Sequence, residues 1–330
     1  MIILTVLMPV FNAEAYIAEA ICSILSQTYR DFKFIILDDC STDKSFEIAE
    51  SFRAIDSRII LRRHATNQGI AKSRDELLSL VDTEYFAWMD ADDISFPQRF
   101  RVQIDYLISH PEIGAVSSGY MCMDTLKVYM PETNTDMISV NLLTSNCIVN
   151  PAAMVRKEVA DRTVFSYEHC GVTSATDYAF WVAIRDVSKL KVIPECLLLY
   201  RVHQQQESIF NVKNQQHSAK KIVAQQFFSL GIKVDGALLP ELILFPGDKP
   251  SRSSLIKIGN LYCLLMKINK GKNFYPSSML LSSLSARYMG YCKFFGLSGV
   301  FNYLKFMGFR SLLDKNRYGL NFIIRCLTYK

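Results

Sequence analysis

The stretch that decides the fold reads Tyr85-Phe86-Ala87-Trp88-Met89-Asp90-Ala91-Asp92-Asp93. Its first five residues are apolar, which predicts a buried strand, and three carboxylates follow it. Carboxylates at the end of a buried strand are unfavourable unless a positive charge compensates them. Asp90 and Asp92 can turn toward one point beyond the strand, and their oxygens suit Mg²⁺ or Mn²⁺. A solvated acidic turn is the alternative, and the D-x-D pair alone does not decide between the two.

Apolar strands and amphipathic helices alternate on both sides of this stretch. Strands are predicted over residues 4–10, 33–37, 58–61, 85–89 and 113–117, and helices over 16–25, 45–51 and 70–81 and after Pro97. This alternation predicts an α/β fold in which helices cover both faces of a mostly parallel sheet. Asn12 is expected to cap the first of these helices.

Polar residues follow three of the predicted strands. Phe11-Asn12 follows the first, Asp38-Asp39 the second and the Asp90 group the fourth. Ligands of parallel sheets bind beyond the carboxyl ends of the strands, so these three groups are expected at one edge. Two acidic groups on one edge repel each other unless a cation or a basic ligand lies between them. The sequence therefore predicts a binding site at this edge.

Composition limits the class of protein. The 330 residues, half of them hydrophobic, suffice for one large domain or two ordinary ones. No charge-free stretch is long enough to span a membrane, and the apolar start is interpreted as a first strand and not a signal peptide. Nine scattered Cys without a C-x-x-C pair indicate the reduced thiols of a cytosol. The turn-rich run 246–250 predicts a boundary.

The end of the chain is strongly basic. From Ser251 to Lys330 lie 13 of the 37 Lys and Arg but only one of the 32 acidic residues. Aromatic and basic residues mixed in this way favour an anionic membrane surface; the alternative is a helical cap packed on the first domain. Nucleic acid fits poorly, because the acidic first part would repel phosphates. The residues concerned are Tyr288, Phe294, Phe295, Phe301, Tyr303, Phe306 and Phe309 among Arg287, Lys293, Lys305 and Arg310.

Five segments, in order, resemble family 2 glycosyltransferases of the GT-A fold. They are Val6-Leu7-Met8-Pro9-Val10-Phe11-Asn12, Ser23-Ile24-Leu25-Ser26-Gln27-Thr28-Tyr29, Ile36-Leu37-Asp38-Asp39-Cys40-Ser41-Thr42-Asp43, Asn67-Gln68-Gly69-Ile70-Ala71-Lys72-Ser73-Arg74 and Asp90-Ala91-Asp92-Asp93. The close match covers the first third of the chain, and the last 120 or so residues resemble no family that we can name. The resemblance implies a GT-A catalytic domain over 1–210, with a nucleotide-sugar half (1–118) and an acceptor half (119–210), followed by a helical, basic region (211–330).

The resemblance also implies how the donor nucleotide is held. Asp39 would accept a hydrogen bond from the base, typically uracil, and Pro9 and Phe11 would shape the base pocket. Arg74 would approach the nucleotide, as suits a planar guanidinium. The alternatives are ordinary packing for Pro9 and Phe11 and a surface helix arginine for Arg74. The family usually has Asn at the next position, where this chain has Asp75.

The acidic motif would provide the metal site. By resemblance, Asp90 faces the ribose or the water shell of the metal, and Asp92 binds Mn²⁺ or Mg²⁺ directly. Asp93 is expected to point away and to cap the following helix.

Weaker landmarks lie downstream. Thr176-Asp177-Tyr178-Ala179-Phe180-Trp181 resembles the segment of the catalytic base, with Thr176 in place of the usual Glu and Asp177 as the base. A helix N-cap is the alternative for Asp177. Leu199-Tyr200-Arg201-Val202-His203 and Ser208 resemble the segment over the donor phosphates, so His203 would bind the metal or the diphosphate. Asn150 precedes Pro151, where the family often has His.

Together these residues indicate an inverting, metal-dependent glycosyltransferase. A nucleotide-diphosphate sugar, preferably a UDP-sugar, would donate to a hydroxyl of a lipid-linked or growing surface glycan of the O-antigen, capsule or lipooligosaccharide type. The expected location is cytoplasmic, peripheral on the inner membrane of a bacterium. A sugar nucleotidyltransferase is one alternative, although Phe11-Asn12-Ala13-Glu14-Ala15 lacks the Gly-rich, basic loop of that class. A non-catalytic nucleotide-sugar-binding scaffold is the other.

Overall fold

Strands and helices alternate through the first half of the chain, as the apolar pattern predicts. The computed structural model describes residues 3–204, 206, 210–234, 238, 250–313, 322, 324 and 326, so Ser208 and residues 246–249 of the predicted boundary lie outside the described residues. The strands are β1 (Leu4–Val10), β2 (Phe32–Asp38), β3 (Ile59–Arg63), β4 (Tyr85–Trp88), β5 (Ile94–Ser95), β6 (Ile113–Cys122), β7 (Val128–Tyr129), β8 (Met154–Arg156) and β9 (Lys189–Tyr200). The helices are α1 (Ile17–Leu25), α2 (Ser45–Arg53), α3 (Ile70–Ser79), α4 (Arg99–Ser109), α5 (Thr135–Asn141), α6 (Lys157–Thr163), α7 (Thr176–Val187), α8 (Val212–Ser229), α9 (Arg252–Lys272), α10 (Ser277–Cys292) and α11 (Gly296–Leu313).

The strands form one mixed sheet in the order β3-β2-β1-β4-β8-β6-β9-β5, with β7 paired to β6. β1, β2, β3 and β4 pair in parallel, and so do β6 and β9. β8, β5 and β7 pair with their neighbours in the antiparallel direction. The predicted α/β class and GT-A architecture are confirmed, and the sheet is parallel over its first half and mixed over its second.

The parallel half explains why one edge of the sheet collects the polar residues. All seven residues of β1 are buried, as expected of a strand covered on both faces. Because β1, β2 and β4 run in parallel, their carboxyl ends lie at the same edge. Phe11, Asp39 and Asp90 follow these ends within two residues.

A buried arginine ties α4 to the sheet beside this edge. Arg99 is fully buried and donates to the backbone oxygens of Trp88 at 2.8 Å and Ala153 at 3.1 Å. Gln103, one turn later, donates to the oxygen of Ala152 at 2.7 Å. Burial lowers the pKa of Arg99 to about 9, which still leaves it charged at neutral pH. Its hydrogen bonds join the end of β4 to the turn before β8.

Asn12 does not cap α1, so that prediction is wrong. The helix begins at Ile17 with Tyr16 at the N-cap position and has no side-chain cap. Asn12 instead adopts a left-handed conformation, with φ at 49°, and its Oδ1 accepts from the backbone N–H of Thr42 at 2.8 Å. The residue thus joins the turn after β1 to the turn after β2.

The chain divides into two compact units. One contains Met1–Ile138 and Asn146–Ser218, and the other contains Ser139–Ser145 and Ala219–Lys330. In the second unit, Tyr262, Tyr288 and Tyr303 are completely buried between the helices. The helical character predicted for the C-terminal region is confirmed, whereas the boundaries near 118 and 210 stay predictions. Within the described part of the chain, every helix is too short or too polar to cross a membrane.

Candidate active site

A cavity of about 660 Å³ opens in the first unit at the carboxyl edge of the parallel strands. The eight residues to which the sequence assigned a role in donor binding, metal binding or chemistry line this one cavity. These residues are Pro9, Phe11, Asp39, Arg74, Asp90, Asp92, Asp177 and His203. They come from six separate regions of the chain, so their convergence is a property of the fold.

Asp39 lines the cavity, and protein groups occupy most of the acceptor positions of its carboxylate. Its Oδ1 accepts from the backbone N–H of Gln68 at 2.7 Å, and its Oδ2 accepts from that of Gly69 at 2.7 Å. His64 Nδ1 lies 2.6 Å from the same Oδ1. A carboxylate offers about four lone-pair positions, so these contacts hold Asp39 in one orientation and leave room for a single ligand donor.

His64 bridges two carboxylates. Its Nε2 lies 2.9 Å from Oε2 of Glu76, opposite the contact to Asp39. Burial lowers the pKa of His64, but the hydrogen bonds to Asp39 and Glu76 outweigh that effect and raise it above its usual value. The imidazole therefore carries positive charge to a higher pH than a free histidine and balances the charge of Asp39.

Arg74 reaches across the cavity from α3. Its Nη1 donates to the hydroxyl oxygen of Thr176 at 3.3 Å, at the position where the family usually has Glu. The guanidinium also lies 5.7 Å from the centre of the Tyr167 ring and 6.0 Å from that of Trp88. Thr176 is neutral and does not offset the charge of Arg74, whereas the nearby Asp90 carboxylate interacts with it electrostatically.

The three aspartates after β4 form a compact acidic group. One carboxylate oxygen from each of Asp90, Asp92 and Asp93 lies within 4.8 Å of the others. Burial raises the pKa of Asp90 to about 6; Arg74 opposes this shift, and the neighbouring carboxylates Asp92 and Asp177 add to it. Such crowding of negative charge is what a bound cation would relieve.

Asp93 does not cap the following helix, and that prediction is wrong. α4 has Gln98 at its N-cap position and no side-chain cap. Asp93 is only 1% exposed, and its Oδ1 accepts from the backbone N–H of Arg201 at 3.0 Å. Its Oδ2 is buried without a hydrogen-bond partner among the described residues. The contact that turns Asp93 inward comes from beyond the end of β9, 108 residues away.

His203 meets the acidic group from the same direction. Its Nε2 lies 2.9 Å from Oδ2 of Asp92, and its ring centre lies 4.7 Å from that of Tyr16, with the two planes tilted by 36°. Three carboxylates and one imidazole offer oxygen and nitrogen donors of the kind that Mn²⁺ and Mg²⁺ accept. The buried, unpartnered oxygen of Asp93 adds a specific reason to expect a cation. The residues present therefore fit a divalent metal.

Asp177 stands in the first turn of α7, beyond the acidic group. The N-cap position is occupied by Ala175, so Asp177 does not act as the N-cap. Ala175 adopts a left-handed conformation with φ at 52°, unfavourable for a residue with a Cβ. Asn146 Nδ2 donates to Oδ2 of Asp177 at 2.9 Å, while Oδ1 of Asn146 accepts from the N–H of Ile148 at 3.0 Å. Asn146 is thereby oriented to hold one oxygen of Asp177.

Three supporting residues were missed by sequence reasoning. His64, Asn146 and Arg99 hold Asp39, Asp177 and the end of β4 respectively. Arg99 had a sequence signal, because a charged residue directly before Phe100 on the apolar face of α4 needs buried partners. His64 and Asn146 had none, since each lies in a polar loop and the site carboxylate that it holds is 25 or more residues away.

The Glycosyl transferase family 2 profile matches residues 5–164. An uncharacterized glycosyltransferase, MJ1057 of Methanocaldococcus jannaschii, is 30% identical over 221 residues, which cover 64% of this chain and 75% of that protein. The chain belongs to glycosyl transferase family 2. It is accordingly a glycosyltransferase, and the nucleotidyltransferase alternative is set aside.

Two further proteins are similar to this glycosyltransferase. The Escherichia coli enzyme WfgD, a UDP-Glc:alpha-D-GlcNAc-diphosphoundecaprenol beta-1,3-glucosyltransferase, is 26% identical over 58% of this chain and 73% of its own length. The mannosyltransferase PcManGT from Pyrobaculum calidifontis, solved with GDP-Man and Mn²⁺, has a TM-score of 0.54 and 16% identity, covering 95% of this chain and 88% of its own. At this identity the solved structure shows the shared fold alone.

Proposed function

We propose that this protein is an inverting, metal-dependent glycosyltransferase that uses a nucleotide-diphosphate sugar, preferably a UDP-sugar. The acceptor is a hydroxyl of a lipid-linked or growing surface glycan. The observation that carries the proposal is that four kinds of group line one cavity. They are a carboxylate for the nucleotide base (Asp39), an arginine (Arg74), the acidic group after β4 and a carboxylate in the first turn of α7 (Asp177). WfgD, with its UDP-glucose donor and its lipid diphosphate acceptor, supports the substrate classes.

Each residue of the cavity has a separate role in this proposal. Asp39 binds the nucleotide base and Arg74 the diphosphate, with Pro9 and Phe11 beside the base. Asp90, Asp92 and His203 would hold Mn²⁺ or Mg²⁺, which when bound offsets the charge of the diphosphate. Asp177 takes the proton from the acceptor hydroxyl as that oxygen attacks the anomeric carbon, and the nucleoside diphosphate leaves on the opposite side. Asn146 leaves Oδ1 of Asp177 for that proton.

Ligand-induced thermal stabilisation tests the donor site directly. The protein is heated with UDP, GDP, dTDP or CMP and with their sugar conjugates, in Mn²⁺ and again in EDTA. A ligand at 100 times its dissociation constant adds about 2.7 kcal/mol of stability. We expect one nucleotide class to stabilise the protein in Mn²⁺ only and the effect to disappear in Asp92→Ala. Absence of any shift in the wild type would refute the donor site.

Replacement of the proposed catalytic base, Asp177, tests catalysis separately from donor binding. Asp177→Asn keeps the size of the side chain but cannot accept a proton. We expect release of nucleoside diphosphate from the selected donor to fall by roughly 10²- to 10⁴-fold, with donor affinity nearly unchanged. Unchanged turnover in this variant would instead support the non-catalytic scaffold.

We further propose that the basic C-terminal helices associate with an anionic membrane surface on the cytoplasmic face. The segment from Ser251 to Leu313 contains no Asp or Glu. Phe274, between α9 and α10, is 48% exposed, and Leu297 and Phe301 on α11 are 61% and 72% exposed. Exposed aromatic and aliphatic side chains among lysines are typical of proteins that lie on anionic lipid. This placement fits an acceptor that is anchored in lipid.

A further inference from the structure

One buried amide in the cavity has no partner within the described part of the protein. Asn150 is 6% exposed and lines the cavity, yet neither its Nδ2 nor its Oδ1 makes a hydrogen bond to any described residue. An unsatisfied buried polar group costs about 1–3 kcal/mol, and an amide offers two donors and an acceptor. A side chain that only fills space at this position would be apolar. Asn150 therefore points to a ligand.

The backbone around Asn150 is held firmly. Residues Asn150–Ala152 form a 3₁₀ turn that contains Pro151. Ser117 Oγ donates to the oxygen of Val149 at 2.9 Å on one side of the turn. The oxygen of Asn150 itself accepts from the N–H of Ala153 at 3.0 Å. The backbone that carries the Asn150 side chain is consequently held in place before any ligand binds.

The sheet register places Asn150 near the acidic group that follows β4. Ala87 pairs with Met154, and the N–H of Trp88 donates to the oxygen of Ala153 at 3.0 Å. Since the two segments run antiparallel, the turn at Asn150 follows on beside the end of β4, from which Asp90 emerges. Thr176 and Asp177 line the same cavity. The turn thus lies beside the acidic group and lines the same cavity as Asp177, the proposed catalytic base.

The chemistry of the amide selects among the parts of a sugar nucleotide. Phosphate oxygens only accept hydrogen bonds, so a phosphate would leave Oδ1 of Asn150 unpaired. Sugar hydroxyls both donate and accept, and two neighbouring hydroxyls can satisfy both ends of one amide. Asp39 already accounts for the base in the proposed function, and this inference rests on that assignment. We infer that Asn150 binds hydroxyl groups of the transferred sugar and helps to select it.

Paired affinities of a sugar nucleotide and its nucleotide test this role. Dissociation constants are measured by calorimetry in Mn²⁺ for UDP against UDP-glucose and UDP-N-acetylglucosamine, and for GDP against GDP-mannose. Asn150→Leu should lose roughly 10- to 100-fold in affinity for the preferred sugar nucleotide, the equivalent of two hydrogen bonds. Affinity for the nucleotide alone should stay within about twofold.

Thermal stability of the unliganded protein distinguishes a ligand-binding amide from a structural one. The melting temperature of Asn150→Leu should equal or exceed that of the wild type, because the change removes an unsatisfied buried group. Asn269→Leu is the matched control. Asn269 is 2% exposed, and its amide satisfies the N–H and the oxygen of Tyr275, each at 2.8 Å. That variant should melt earlier and bind sugar nucleotides normally.

The outcomes separate this inference from the proposed function. If the wild type binds no sugar nucleotide, both fail. If the wild type binds one and Asn150→Leu binds it equally well, or loses the bare nucleotide to the same extent, only the role of Asn150 is overturned. Asn150→Ala, measured in the same way, decides the question should the leucine variant fail to fold.

Discussion

At the scale of single residues, the base-binding carboxylate depends on a histidine. His64 lies between Asp39 and Glu76, and its raised pKa favours the charged form in the folded state. A group whose pKa is higher in the folded than in the unfolded state stabilises the protein fully at pH values below its unfolded-state pKa, which for histidine is about 6.5. That contribution is lost as pH rises through the higher folded value.

We expect the stability advantage of the wild type over His64→Ala to be largest at pH 5.5–6. It should shrink as pH increases to 8.5, measured as urea unfolding midpoints across that series. His110→Ala is the control, because Nδ1 of His110 contacts the backbone oxygen of Tyr106 at 2.9 Å and not a carboxylate. A His64→Ala difference that is independent of pH would contradict the assignment.

Gly69 presents one of the two backbone N–H groups that hold Asp39. Gly69 has φ at 84° and ψ at 158°, a region that only glycine occupies readily. Space is not the constraint, since a Cβ at Gly69 would meet no described atom within 4 Å. Gly69→Ala should therefore cost about 1–3 kcal/mol through backbone strain and should weaken nucleotide binding by turning the N–H away from Asp39.

Thermal melts and nucleotide titrations check this prediction against Gly290→Ala. Gly290 lies in α10, where an added Cβ also meets no described atom within 4 Å. In a helix, alanine is favoured over glycine by up to about 1 kcal/mol, so this control should be as stable as the wild type or more stable. Similar behaviour of the two variants would show that the conformation of Gly69 is unimportant.

At the scale of elements, Asp75 joins α3 to the loop that leads into α7. Its carboxylate accepts from Ser166 Oγ at 2.7 Å and from the N–H groups of Tyr167 and Glu168 at 2.7 and 3.0 Å. The family usually has Asn here, and an amide oxygen could not accept all three bonds as strongly. Asp in place of the usual Asn therefore anchors the loop that precedes Asp177.

Asp75→Ala should separate loop anchoring from donor binding. We expect a loss of about 1–3 kcal/mol in stability and at least a tenfold fall in turnover, because the loop no longer holds α7 in place. Donor affinity, measured by calorimetry, should change little. Asp161→Ala, which removes an exposed ion pair with Lys157, should cost less than about 1 kcal/mol and leave turnover intact. Equal effects of the two changes would argue against a special role for Asp75.

At the scale of the whole molecule, the acidic residues lie almost entirely in the first 250 residues, and the segment after them is basic. Vesicle sedimentation should show binding to phosphatidylglycerol but not to phosphatidylcholine, and the binding should weaken with salt. Phe301→Ser should reduce it. Phe228→Ser is the control, because Phe228 is 73% exposed but lies on α8, outside the basic segment. Equal binding to both lipids, or equal effects of both variants, would refute the membrane proposal.

The sequence alone determined the alternation of strands and helices and the set of carboxylates at the strand ends. Both follow from local patterns: apolar periodicity selects the element, and parallel strands bring their ends to one edge. For this reason Phe11, Asp39 and Asp90 line one cavity. Arg74, Asp177 and His203, which the family resemblance identified, line the same cavity.

Only the tertiary structure decided which way each side chain turns and what supports it. Asp93 faces the acidic group because the N–H of Arg201 holds it, and Asn12 binds Thr42 instead of capping α1. The carboxylates that His64 and Asn146 contact likewise lie 12 to 31 residues away. Such contacts depend on which loops meet at the sheet edge, and no local pattern encodes that meeting. The sequence therefore specified the chemistry of the site, and the packing of distant loops specified its geometry.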